Sequence, residues 1–232
     1  MKIGILAAGR PPSALIPEFG DYPSMFRSLL AAGGHDWATY DVQAGGYPGA
    51  LAECEAYIVT GSSSGVYDPD PWIGELRGFL RAARGQVPLV GVCFGHQIIA
   101  DAFGGVVIKS PKGWGIGLHH HALRQGAAWL DDVPDYALAA SHQDQVVEAP
   151  PGATVLAGSD FCPFGMLDYA GDRAMSLQLH PEFDPGYAGA LIEGRRGVRF
   201  PEAQADAAID SLKAPNDNAR VARWIEAFLA RA

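Results

Sequence analysis

The chain has 232 residues, of which 48% are hydrophobic and 19% are charged, a composition typical of a folded protein and unlike that of a disordered one. Its net charge of −9 argues against a nucleic-acid partner, because phosphate backbones are bound by clustered Lys and Arg. No apolar run reaches membrane-spanning length and no targeting signal is visible, so we expect a cytoplasmic protein without a membrane segment.

The first half of the chain alternates short apolar runs with helical patterns. The apolar runs predict buried strands over residues 2–7, 56–60 and 88–92. Apolar residues at helical spacing predict helices over residues 22–32, 71–83 and 96–103. This order is typical of βαβ units, and it predicts an α/β fold with one open, mostly parallel sheet flanked by helices.

The second half has shorter, alternating runs. They predict a smaller antiparallel section, over residues 105–109, 114–121, 136–140, 145–148 and 154–158, and a strand over 174–179 that returns to the main sheet. Residues 185–212 are predicted to be helical with an interruption at 195–201, and residues 218–230 form a closing helix. We expect the basic cluster at 193–199 to be a solvent-exposed loop or helix end. No linker is visible, so the chain is predicted to be a single domain.

Cys93 lies in the sequence G-V-C-F-G, directly after the predicted strand 88–92 and before a helical pattern. Strand, G-x-C-x-G and helix follow one another in a nucleophile elbow, where small flanking residues permit a strained turn that exposes the side chain. A helix N-terminus stabilises a thiolate, and the amide of Phe94 can point at a developing oxyanion. The pattern therefore predicts a nucleophilic thiol, against the alternative of a buried structural cysteine.

His180 is the best candidate for the base that such a thiol needs, because it follows the last predicted strand of the sheet. Glu182 is two residues further on, so in extended backbone it projects to the same side and can orient the imidazole. Alone, His180 would be read as a structural histidine. Together with Cys93, it is predicted to be catalytic.

The remaining Cys and His residues give weaker signals. Three cysteines without C-x-x-C spacing fit a reducing compartment, and we expect Cys54 and Cys162 to be structural. His119, His120 and His121 are consecutive, so on a strand only the first and third share a face. No third ligand is suitably spaced, and the run therefore predicts no metal site. His96 is expected to pack behind the elbow. We expect neither a metal nor a cofactor.

The loop T-G-S-S-S-G at 60–65 follows a predicted strand but lacks the G-K-[ST] ending of a phosphate loop. Two interpretations remain open for it. It can be a plain turn, or it can present backbone N–H groups of Gly61 and Ser62 beside Cys93 as the second half of an oxyanion hole.

The combination of G-V-C-F-G-H-Q, L-H-P-E-F and T-G-S-S-S-G resembles the class I glutamine amidotransferase family. It is most similar to the glutaminase domain of GMP synthase and to its freestanding relatives. G-D-Y-P-S-M-F and D-P-D-P-W-I also resemble the freestanding group. The motifs cover residues 57–183, and the predicted helical tail at 184–232 carries no signature. Such a resemblance implies the flavodoxin-like sheet that the patterns predict.

The resemblance implies a Cys93, His180 and Glu182 triad that hydrolyses a γ-glutamyl amide. Phe94, Gly61 and Ser62 would form the oxyanion hole. Gln97 matches a family position that contacts bound glutamine, and the segment Ser141, His142, Gln143 and Asp144 matches one that presents groups to the α-amino and carboxylate groups. One departure is Gly61-Ser62-Ser63, where many members of the family have G-G-P.

The sequence leaves several functions open. No ATP pyrophosphatase domain with an S-G-G-x-D-S loop follows, so we do not expect a complete GMP synthase. Ammonia would then go to a separate synthetase subunit, or the chain would be a stand-alone hydrolase of γ-glutamyl compounds. The alternatives are a glutamine-binding subunit without catalysis and a redox-active protein of the DJ-1/PfpI type, which the H-P-E motif fits poorly.

Overall fold

The fold, taken from a computed structural model that describes residues 1–231, is built on a nine-stranded sheet and a separate two-stranded ribbon. The strands are β1 (Lys2–Ala7), β2 (Asp36–Asp41), β3 (Ala56–Val59), β4 (Leu89–Val92), β5 (Val106–Lys109), β6 (Gly115–Leu123), β7 (Asp135–His142), β8 (Asp144–Glu148), β9 (Thr154–Gly158), β10 (Met166–Tyr169) and β11 (Ala174–Leu177). The α-helices are α1 (Ile16–Phe19), α2 (Tyr22–Leu29), α3 (Pro71–Ala83), α4 (Phe94–Ala102), α5 (Pro185–Glu193), α6 (Glu202–Ser211) and α7 (Asn218–Leu229).

The large sheet has the strand order β2-β1-β3-β4-β11-β10-β9-β6-β7. Its first five strands are parallel, and the other four are antiparallel. Strand β11 is formed late in the chain but lies in the middle, between β4 and β10. The segments that follow β3, β4 and β11 therefore leave the same edge of the sheet, where ligands of open α/β sheets bind.

Helices cover both faces of the parallel strands. On one face, Phe26 of α2 and Trp224 and Phe228 of α7 pack on the strand side chains. On the other face, α3 and α4 contribute Leu76 and Ile99 to a second apolar cluster. The central strands β3 and β4 are buried along their whole length, which explains their continuous apolar runs.

The predicted α/β fold is confirmed, including the antiparallel section and the return of the chain to the main sheet. Helix α3 has the predicted bounds, whereas α4 begins two residues earlier than predicted and β11 ends at Leu177. The sequence patterns do not predict two of the strands, the half-exposed edge strand β2 and the four-residue β10. The assignment of the whole chain to a single domain stays a prediction.

No helix within residues 1–231 combines the length and the apolar character needed to cross a membrane.

Candidate active site

Cys93 lies between β4 and α4, at the turn that the elbow pattern predicts. Its backbone has a φ of 55°, one of two positive φ values among the non-glycine residues at positions 1–231. A side chain in this region is strained and persists only where the surroundings impose the conformation. The thiol lines a cleft of about 310 Å³ at the edge of the sheet where the parallel strands end.

The two glycines that flank Cys93 are required by close backbone approach. A Cβ atom on Gly91 would overlap the carbonyl of Gly95, and one on Gly95 would overlap the carbonyl of Val59 in β3. Helix α4 therefore lies directly against the strands, and its first turn starts at the thiol. The N–H groups of that turn have no partner within the helix, so they are available to a bound anion.

His180 follows β11 and donates a hydrogen bond from Nδ1 to Oε1 of Glu182 at 2.7 Å. Both residues are buried. The backbone N–H of His180 donates to the carbonyl of Ala139 in β7, and its ring stacks on Phe183 at a centroid distance of 3.9 Å. With Nδ1 engaged, Nε2 is the ring atom left to act in the cleft.

The charge state of His180 follows from these neighbours. Burial alone would lower the pKa of His180, but the negative charges of Glu182 and of the Cys93 thiolate raise the pKa to about 10. His180 is then an imidazolium at neutral pH. By contrast, burial lowers the pKa of His142, in the same cleft, to about 3, so His142 stays neutral.

Gly61 lies against both Cys93 and His180. A Cβ atom on Gly61 would be 3.7 Å from Cβ of Cys93 and 3.2 Å from Cε1 of His180. Ser62 also lines the cleft, whereas the ring of Phe94 is buried against Trp72, so only its backbone can serve the site. The three residues predicted for the oxyanion hole are therefore brought to the thiol, and their role stays a prediction.

One wall of the cleft is formed by Gln97, Asp144, Tyr67 and Lys109, and we call it the Asp144 wall. The amide nitrogen of Gln97 donates to the Asp144 carbonyl at 2.8 Å, and the Tyr67 hydroxyl donates to Asp144 Oδ2 at 2.8 Å. Lys109 is the partner of Asp144 in the β5–β8 ribbon. Burial raises the pKa of the Asp144 carboxyl above its ordinary value.

The segment predicted to contact substrate lies along this cleft. His142, Gln143 and Asp144 all line it. Nδ1 of His142 lies 3.1 Å from the Asp144 carbonyl, and the side-chain nitrogen of Gln143 donates to the Ser110 carbonyl at 3.3 Å. Ser141 lines the cleft too, but its hydroxyl accepts a hydrogen bond from Arg195 at 3.2 Å.

A second wall comprises Tyr22, Phe183, Arg195, Arg199 and Trp114, and we call it the Arg195 wall. The basic cluster 193–199 is a largely exposed loop at the end of α5, as predicted, but Arg195 within it is half-buried in the cleft. Arg195 and Arg199 are one helical turn apart and face the same side. Arg196, between them, turns outward to Glu193 and Asp206.

Comparison with known proteins assigns the chain to a protein family. The family model described as "Glutamine amidotransferase class-I" matches residues 50–195, more than half of the chain. The chain belongs to the class I glutamine amidotransferase family. It is 31% identical to a glutamine amidotransferase-like protein of Schizosaccharomyces pombe, over 98% of each chain.

Two further relatives have more specific names. Gamma-glutamyl peptidase 5 of Arabidopsis thaliana is 30% identical over 87% of this chain and 82% of its own. The glutamine-hydrolysing GMP synthase subunit of Methanopyrus kandleri is 32% identical, but over only 47% of this chain and 59% of its own. A solved glutamine amidotransferase structure from Thermotoga maritima shares the fold, with a TM-score of 0.77 at 18% identity over 99% of this chain and 97% of its own.

The other candidate residues do not line the cleft. His96 is buried behind the elbow, with Nδ1 2.8 Å from the hydroxyl of Ser176. Cys54 and Cys162 are free and buried. Within the described chain, no three His, Cys, Asp or Glu side chains are grouped as metal ligands would be.

Proposed function

We propose that the chain hydrolyses the γ-glutamyl amide bond of its substrate through a thioester at Cys93. One observation carries the proposal: the elbow thiol, the His180–Glu182 pair and Gly61 meet at one point of the cleft. Nucleophile, base and orienting carboxylate in this order form a constellation for acyl transfer.

In the first step, Sγ of Cys93 attacks the γ-carbonyl carbon of the substrate. The oxygen becomes negative, and the N–H groups at the start of α4 and in the Gly61 loop are the donors that would stabilise it. The C–N bond then breaks. Because His180 is already protonated, it gives its Nε2 proton to the leaving nitrogen, so ammonia or an amine departs and a thioester remains.

In the second step, neutral His180 takes a proton from water. The resulting hydroxide attacks the thioester carbon, the C–S bond breaks, and glutamate leaves as the thiolate returns. Glu182 holds the imidazole in place throughout and stabilises its positive form.

The nitrogen that leaves distinguishes two versions of this function. Ammonia leaves if the substrate is glutamine, and a separate synthetase subunit would then consume it, as the similarity to the glutamine-hydrolysing GMP synthase relative suggests. An amine or amino acid leaves if the enzyme is a stand-alone γ-glutamyl peptidase. The peptidase relative favours this second version, since it matches nearly twice as much of the chain.

The test is to measure glutamate release from L-glutamine and from a γ-glutamyl dipeptide with the wild-type chain and with Cys93→Ala. We expect Cys93-dependent turnover of at least one substrate, with a loss of about 10⁴-fold or more in the variant. Cys54→Ala is the matched control, because Cys54 precedes β3 at the other end of the strands. Undiminished release by Cys93→Ala would contradict the proposal, and glutamine binding without turnover would favour a non-catalytic binding subunit.

Hydroxylamine added to the same assay tests the intermediate. It should intercept the thioester and give γ-glutamyl hydroxamate only when Cys93 is present. Hydrolysis without any trapped hydroxamate would argue for direct attack by water.

A further inference from the structure

Arg195 and Arg199 place two positive charges in the cleft of an acidic protein. Neither forms an ion pair with a carboxylate within residues 1–231, although Arg10, at the mouth of the same cleft, pairs with Asp41. A half-buried guanidinium without a counter-ion is costly, and burial and the neighbouring Arg199 lower the pKa of Arg195. Such a charge is stabilised when an anionic ligand binds.

The two cations are held in place by the fold. The backbone N–H of Arg199 donates to the Arg195 carbonyl at 2.9 Å, which closes the loop after α5. Phe200 is buried and packs edge-on against Trp114, whose ring lies 5.5 Å from the guanidinium carbon of Arg199. Arg195 itself donates to Ser141 in β7. The guanidinium groups are therefore positioned before any ligand arrives.

The glutamyl part of the substrate does not require these arginines. Its α-ammonium and α-carboxylate groups form a zwitterion, and the Asp144 wall already offers one carboxylate and one ammonium side by side in Asp144 and Lys109. An anion at the Arg195 wall must then belong to another part of the substrate.

The position of His180 indicates which part of the substrate carries this anion. It must protonate the leaving nitrogen, so the leaving group departs on the side where His180 lies. His180 stacks on Phe183, and Phe183 stacks on Tyr22, both in the Arg195 wall. Ser141, the hydrogen-bond partner of Arg195, is two residues from Ala139, which binds the His180 backbone.

Resting on the proposed function, we propose that Arg195, assisted by Arg199, binds a carboxylate on the leaving group of the substrate. Arg195 is then a residue that determines specificity, and the preferred substrate class is γ-glutamyl amino acids or peptides with a free carboxylate, rather than glutamine. Two parallel N–H groups of a guanidinium match a carboxylate, which lysine would not reproduce.

Three substrates test the proposal: γ-glutamylglycine, γ-glutamylglycinamide, which lacks the terminal negative charge, and L-glutamine. For the wild-type chain we expect kcat/KM to be about 10- to 100-fold higher for γ-glutamylglycine than for the amide, as a charge-assisted hydrogen bond provides. This comparison needs no variant. Equal rates on the dipeptide and its amide would overturn the proposal and leave the proposed function intact.

Arg195→Gln should lower kcat/KM about 10- to 100-fold on γ-glutamylglycine and leave the other two substrates within about threefold. Arg196→Gln is the matched control, since Arg196 points outward, and it should behave like the wild type. An equal loss on all three substrates would overturn the proposal, because Arg195 would then serve the glutamyl part or the integrity of the cleft. If the wild-type chain turns over none of the three substrates, the proposed function and this inference are overturned together.

Discussion

The elbow that carries Cys93 and the loop that carries Arg195 face the same cleft but differ in construction. In the elbow, glycine contacts fix the backbone, and the first seven residues of α4 are buried. In the loop between α5 and α6, Val198 is 85% exposed and only Phe200 is buried. A rigid, buried turn holds the proposed nucleophile, whereas an exposed loop presents charges that can change without disturbing the core. Changes near the elbow should therefore affect every substrate, and changes in the loop should affect substrate choice.

His180→Gln tests the elbow side of this comparison most severely. In the proposed mechanism it removes the group that protonates the leaving nitrogen, so kcat should fall by about 10²- to 10⁴-fold on every substrate. His120→Gln is the control, because His120 is exposed on β6. Activity within a few-fold of the wild type would exclude His180 as the acid and base. The rates are measured as glutamate release at a saturating substrate concentration.

Glu182→Gln tests how the charge of His180 is maintained. In the proposed mechanism the protonated imidazole is the active form, so kcat/KM should decline as the pH rises through the His180 pKa of about 10. Without the Glu182 carboxylate that pKa falls, and the alkaline decline should move to lower pH by roughly one to three pH units. A pH profile of kcat/KM measures the shift. An unchanged alkaline decline would show that another group controls it.

Gly95→Ala tests the fixed backbone. The added methyl group would overlap the Val59 carbonyl, so the free energy of unfolding should fall by about 1–3 kcal/mol and the activity should fall with it. Gly78→Ala in α3 has open space and should instead gain up to about 1 kcal/mol. Denaturant unfolding compares the two variants. Equal stability of both would contradict the tight contact between α4 and β3.

Tyr67→Phe should have the smallest effect. The Tyr67 hydroxyl donates to Asp144 Oδ2 at the cleft mouth, and Tyr67 is exposed, so stability should not change. With the Asp144 side chain less firmly placed, KM should rise about three- to tenfold on all γ-glutamyl substrates with little change in kcat. Tyr47→Phe removes a hydroxyl away from the cleft and is the control. A large fall in kcat would place Tyr67 in the chemical step instead.

Much of the fold can be predicted because the parallel strands are buried on both faces. Their apolar runs are continuous, and the sequence indicates β1, β3 and β4 for that reason. Strand β2 has exposed and half-exposed residues along its length, and β10 has only four residues, so neither gives a clear period.

The candidate site likewise contains residues whose position the sequence predicts and residues whose position it does not. Cys93 and His180 can be predicted because short motifs fix their local backbone. Arg195 and Arg199 cannot, because a basic cluster in a Gly-containing loop has the same composition whether it faces water or a cleft. Only the packing of Phe200 on Trp114, distant in sequence, turns this loop inward. The one-turn spacing of the two arginines is the only local signal.

The central place of β11 also determines when Cys93, His180 and Glu182 can come together during synthesis. Cys93 emerges with β4, but β11 and His180 follow only after six further strands, β5 to β10, have been made. Until β11 inserts beside β4, the thiol has neither the imidazole of His180 nor the carboxylate of Glu182 near it. A nascent chain therefore carries Cys93 without these partners while residues 94–180 are synthesised, and the proposed amide hydrolysis becomes possible only once the last strand has been made.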